Sequence, residues 1–242
     1  MGQKIIYLLA FLLISGFTFS QNRFDELIAS GNQKLKEKDY KNAIKDFSEA
    51  NSIQANDTAA LNGLIKSYTL LSDYKSAQKL IDEALQNNPN DAELVMRQGI
   101  LYNLDGDHIK AQEQFTKALG LNPSSKIQLQ ILLNKASAEI RLEDFTSALE
   151  DYNKAIEIEP RNANIYNYRG LVNFKLGYYL DAVNDYNNAL DLEPNSGLTY
   201  YNRGMTYLKL SEKQKACTDF HKACKMNNVN ACKMIIAECG GK

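Results

Sequence analysis

Histidine, proline and, over most of its length, cysteine are scarce in this 242-residue chain, and each scarcity excludes something. The two histidines, His108 and His221, leave little from which to build a histidine-based catalytic centre. Serines and carboxylates are plentiful, yet no nucleophile elbow, phosphate loop or metalloprotease spacing occurs. The chain is therefore not expected to be an enzyme or to carry a cofactor. An excess of charge is missing too. The 28 Lys and Arg stand against 29 Asp and Glu, which is no footprint for nucleic acid, whose binders cluster positive charge. No stretch reads as a β-strand.

What is present is a beat. The only prolines are Pro89, Pro123, Pro160 and Pro194, spaced 34, 37 and 34 residues apart. Alanine recurs with them at 43, 77, 111, 148, 182 and 216, and again at 50, 84, 118, 155, 189 and 223. A fixed period of this size marks stacked supersecondary units. Six copies follow, at residues 24–57, 58–91, 92–125, 129–162, 163–196 and 197–230. Position 8 of a copy is small in five of them (Gly31, Gly99, Ala136, Gly170, Gly204), with Ile65 the exception. Position 24 is large: Phe47, Ile81, Phe115, Tyr152, Tyr186, Phe220.

These positions describe a hairpin of two short helices. Asp at position 16 (Asp39, Asp73, Asp144) caps the second helix, because its carboxylate accepts from orphan amides of the first turn. Proline at position 32 ends that helix. Positions 20, 24 and 27 share one helical stripe, so small residues at 8, 20 and 27 let two helices approach closely while the residue at 24 fills the space. The three extra residues, 126–128, are expected either to lengthen the first helix of the fourth copy by almost a turn or to break the stack there. One hairpin cannot bury its apolar face alone, so stability is expected from stacking.

On these positions the chain resembles the tetratricopeptide-repeat family across residues 24–230. The resemblance implies an all-α fold, a right-handed superhelical solenoid of helix–turn–helix hairpins that binds protein or peptide clients on its concave face. The family lines that face with first-helix positions 2, 5, 9, 12 and 13. In this chain those positions include Asn32, Lys36, Asn62, Lys66, Glu93, Met96 and Asn103, then Gln130, Ser137, Arg141, Asn164, Asn167, Leu171, Phe174 and Lys175, and finally Tyr201, Met205, Leu208 and Lys209. The implied groove is amide-rich at its beginning and aromatic and apolar at its end. The chaperone-tail clamp of some members does not fit, since Gly63 and Glu93 stand where it needs Asn and Lys. The competing reading is a structural or sensory accessory domain docking a membrane partner through its convex face.

The two ends differ from the repeats. Residues 1–20 have the layout of a secretory signal peptide: Lys4, an uncharged run over 5–19, then small residues before a cut near Gln21. The run is shorter than the roughly 20 residues a spanning helix needs, so the mature chain is expected to be periplasmic or extracellular, with no permanent membrane anchor. All four cysteines, Cys217, Cys224, Cys232 and Cys239, lie at the other end, across the sixth copy and an expected capping helix at about 231–238. Pairing within one helix is impossible, because seven residues rise about 10.5 Å and a disulfide tolerates about 7 Å between Cα atoms. Nested pairing, Cys224 with Cys232 inside Cys217 with Cys239, suits an antiparallel helix pair turning near residue 228. In a regular seventh copy, however, Cys232 and Cys239 fall at groove-facing positions 2 and 9, which calls for a rotated final helix. Zinc held by Cys217, His221, Cys224 and Cys232 is the alternative.

Overall fold

The computed structural model describes residues 20–55 and 57–240, and every regular element among them is helical. The leader assigned to residues 1–20 lies almost wholly outside the described residues. Two compact units form, one ending at Asp105 and the other beginning at Gly106. The first contains α1 (described over 20–36), α2 (Tyr40–Ile53), α3 (Thr58–Leu70), α4 (Tyr74–Asn87) and α5 (Ala92–Leu104). The second contains α6 (His108–Gly120), α7 (Ser125–Arg141), α8 (Phe145–Ile158), α9 (Ala163–Leu176), α10 (Tyr179–Leu192), α11 (Gly197–Lys209), α12 (Lys213–Lys225) and α13 (Val229–Glu238). None of the described helices is long and apolar enough to cross a membrane.

Side-chain caps start most of the helices, α7, α10 and α12 excepted. Asp39, Asp73, Asp107 and Asp144 accept from the amides of Asn42, Ser76, Lys110 and Ser147 at 3.4, 3.1, 3.1 and 3.2 Å. First helices are capped in the same way, by Asp57 on Ala59 at 2.8 Å and by Asn162 on Asn164 at 3.1 Å. Residues 126–128 lengthen α7, which runs 17 residues where α9 has 14 and α11 has 13. The residue before each second-helix cap, position 15, is left-handed in all six copies: Lys38, Ser72, Gly106, Glu143, Gly177 and Ser211, with φ between 60° and 89°. Only two copies use glycine there.

Packing follows the repeat. The position-20 alanines, Ala43 through Ala216, are fully buried, and Phe47, Phe115 and Phe220 at position 24 are 0 % exposed. Those rings explain the small residue at position 8. A Cβ built on Gly31 lies 2.7 Å from the Phe47 ring, on Gly170 2.8 Å from Tyr186, and on Gly204 2.7 Å from Phe220. The second copy solves the same problem differently. Its Ile65 packs in one cluster with Ile81, an aliphatic pair replacing glycine and ring.

The last helix begins at Val229, two residues before the frame of the 34-residue spacing. Helix α12 is one residue shorter than α10, and three residues rather than four join it to α13. Asn227 makes the turn with φ 64°. In the shifted frame Ala231 takes position 3 and is fully buried, while Cys232 and Cys239 move to positions 4 and 11 and meet α12. Cys217 joins Cys239 with Cα atoms 5.7 Å apart, and Cys224 joins Cys232 at 4.9 Å. No cysteine among the described residues is free, so the zinc alternative has no thiolate to use.

Candidate functional site

Helices α7 and α9 are consecutive first helices of the second unit, and between them lies a cleft of about 450 Å³. Leu133, Ile140, Ile165 and Leu171 give it an apolar floor, and Ser137, Asn162 and Asn164 add polar groups at its edge. Arg141, exposed at the end of α7, is its one charged lining residue. Tyr168 stands 48 % exposed, its ring stacked on Tyr152 at 6.2 Å and 12° between planes. Burial pushes the Tyr152 phenol well above its ordinary range, so it stays neutral. A flat ring on a fixed ring, beside amides and one guanidinium, suits an extended segment carrying an apolar side chain and a negative charge.

Below this surface a ladder of ion pairs joins position 7 of α7, α9 and α11 to position 23 on the helix that follows each. Lys135 donates to Asp151 at 2.8 Å and also pairs with Glu139. Arg169 holds Asp185 with contacts down to 2.6 Å, and Arg203 holds Asp219 at 2.7 Å. Both arginines also reach the preceding copy, donating to Asn153 at 2.8 Å and to Asn187 at 2.6 Å. The acids are nearly inaccessible, Asp151, Asp185 and Asp219 each being 2 % exposed. Burial lifts the Glu139 and Asp185 carboxyls above the usual range, against the pull of Lys135 and Arg169. Breaking one such pair leaves an uncompensated buried charge.

The groove residues expected from sequence scatter across several environments. Arg141 and Leu171 meet in the α7–α9 cleft. Asn167 is 7 % exposed and accepts from Asn202 at 3.3 Å, which makes it interior rather than groove lining. Met96, 4 % exposed, is interior as well. Phe174 packs edge-on to Tyr179 at 5.6 Å. Tyr201 lies 6.1 Å from Phe220, and with Met205 and Leu208 it covers the cluster of Ala216, Phe220 and Ala223. In the first unit Asn32 is exposed, Asn103 is half-buried, and Asn62 and Lys66 line two small recesses of about 150 and 140 Å³. Tyr168 was not among the expected residues. It occupies position 6, which holds Ala29, Gly63, Arg97, Asn134 and Asn202 in the other copies, and that odd aromatic was the available signal.

Models of the tetratricopeptide repeat match residues 34–96, 163–196 and 185–218, and a further TPR-repeat model matches 136–177. The chain belongs to the tetratricopeptide-repeat family. Its fold is the all-α solenoid of helix hairpins seen in solved members. Pseudomonas aeruginosa PilF is 13 % identical, with a TM-score of 0.75 over 90 % of this chain and 99 % of that one. YrrB, described as a TPR protein with an unusual peptide-binding site, is 18 % identical, with a TM-score of 0.64 over 76 % of this chain and 94 % of its own. MamA from Desulfovibrio magneticus RS-1 is 18 % identical at a TM-score of 0.64, covering 69 % of this chain and 93 % of its own. At these identities the likeness is one of fold. No curated protein matches the chain in sequence.

Proposed function

We propose that this protein is an exported, non-catalytic scaffold that binds protein or peptide segments, with the α7–α9 cleft as its principal seat. The observation that carries the reading is the exposed Tyr168 ring, fixed on Tyr152 beside Arg141 and Asn164. Asparagine amides bind the main chain of an extended segment without reading its sequence, and the apolar floor takes one side chain. The surface is prebuilt, so binding costs little ordering. Export follows from the leader-like residues 1–20, and YrrB lends support as a fold relative with a peptide site.

Peptides selected from a random displayed library against the oxidised mature chain test the proposal by fluorescence anisotropy. An aromatic hot spot contributes about 2 kcal/mol or more, so Tyr168→Ala should weaken selected peptides about thirtyfold. The competing reading, docking through the outer second-helix face, is favoured by Leu180 and Tyr178, which are 68 % and 53 % exposed. Under that reading Leu180→Ala, not Tyr168→Ala, abolishes binding.

A further inference from the structure

In the copies whose second helix is described in the same unit, position 8 of the first helix is covered. Gly31 lies under Phe47, Gly170 under Tyr186 and Gly204 under Phe220. Ile65, 2 % exposed, packs with Ile81. Helix α13 is the first helix of a seventh copy in the shifted frame, and its position 8 is Ile236. Ile236 is 75 % exposed, and Val229 at the start of the same helix is 65 % exposed. Two disulfides and the buried Ala231 hold this open face in place.

We propose that the open face of α13 docks an acidic amphipathic helix of a partner protein, which takes the place a second helix holds in the other copies. The chain's own repeats define the occupant's apolar side. Where position 8 is isoleucine, its mate is the Ala77, Ile81, Ala84 stripe of α4, so an aliphatic residue between two small ones fits Ile236. Charge defines the rest. Residues 197–242 hold eight Lys and Arg against three Asp and Glu. Two pairs cancel, Arg203 with Asp219 and Lys215 with Glu212, which leaves six cations against Glu238 at the end of α13. Lys225 and Lys233 stand exposed beside Val229 in sequence and along α13. A second copy presenting its own α13 face brings the same positive charges, which repel; an acidic helix neutralises them. This surface is separate from the α7–α9 cleft.

The test uses a fluorescein-labelled peptide with the Asp73–Asn87 sequence, carrying Lys75→Glu and Lys79→Glu and a hydrocarbon staple that keeps it helical. It is titrated into the oxidised mature chain. Saturable binding is expected, weakened at least tenfold by Ile236→Ser and at least threefold by Lys225→Glu with Lys233→Glu, and unchanged by Tyr168→Ala. Ile236 is a surface side chain, so a preserved circular dichroism spectrum shows that the variant folds. Absence of saturable binding to the wild-type chain, or equal binding to Ile236→Ser, overturns the proposal. So does a result in which Ile236→Ser leaves the peptide unaffected but abolishes self-association in sedimentation, or binding to phosphatidylglycerol vesicles.

Discussion

Gly177→Ala isolates one physical effect. Gly177 has φ 81°, and a Cβ added there meets nothing within 4 Å. Any change in stability therefore comes from the backbone and not from packing. Left-handed geometry costs an L-residue roughly 1–2 kcal/mol, while losing a glycine from the unfolded chain returns roughly 0.5–1 kcal/mol. The net expectation is a loss of about 0.5–1 kcal/mol. For a chain of this size that lowers the melting temperature by about 2–4 °C per kcal/mol. The reverse substitutions at the same repeat position, Ser72→Gly, Glu143→Gly and Ser211→Gly, should each stabilise by a similar amount. These sites sit in different copies, so their effects should add. Urea titration followed by circular dichroism reads both series. If Gly177→Ala proves neutral and Glu143→Gly destabilises, the conformational account of position 15 is wrong.

Gly204→Ala puts a methyl group 2.7 Å from the Phe220 ring and should cost about 1–3 kcal/mol by overpacking, with Phe220→Leu restoring part of the loss. Replacing Cys224 and Cys232 together by serine opens a nine-residue loop. This should cost up to about 2.5 kcal/mol in the chain-entropy model, read by urea unfolding with the outer bridge verified intact by mass spectrometry. Glu139 supplies a pH test. Its folded-state carboxyl is raised by burial, so its contribution is fully present below the unfolded value near 4.3 and lost as pH rises through the folded one. The wild type should therefore gain stability relative to Glu139→Gln as pH falls from 7 toward 4.5, and a gap that narrows on acidification contradicts the assignment.

The period, the capped second helices and the nested cysteine register were all legible in the sequence, because each rests on interactions within one hairpin. Asp39, Asp73 and Asp144 cap their own first turns, and the spacing of Cys224 and Cys232 encodes a local turn. What escaped depends on contacts between helices. The pairs of Arg169 with Asp185 and Arg203 with Asp219 lie 16 residues apart across a turn, a spacing that no single-helix pattern marks. The left-handed position 15 was hidden because lysine, serine and glutamate fill it in four copies. Tyr201, Met205 and Leu208 are half-buried on the sixth copy's core, and the cleft between α7 and α9 gathers Arg141 and Leu171 with Tyr168, a grouping that depends on how neighbouring copies stack. The two-residue frame shift before Val229 followed from a shorter α12 and a shorter turn, both small departures from the repeat.

We propose that clients are recognised on the first-helix surface of the second unit. In the native cell, a photo-crosslinking residue placed at Tyr168 is compared with one at Leu180 on the second-helix face. A discrete crosslinked client is expected from position 168, diminished by Arg141→Ala, and none from position 180. Adducts from position 180 with nothing at 168 would contradict it.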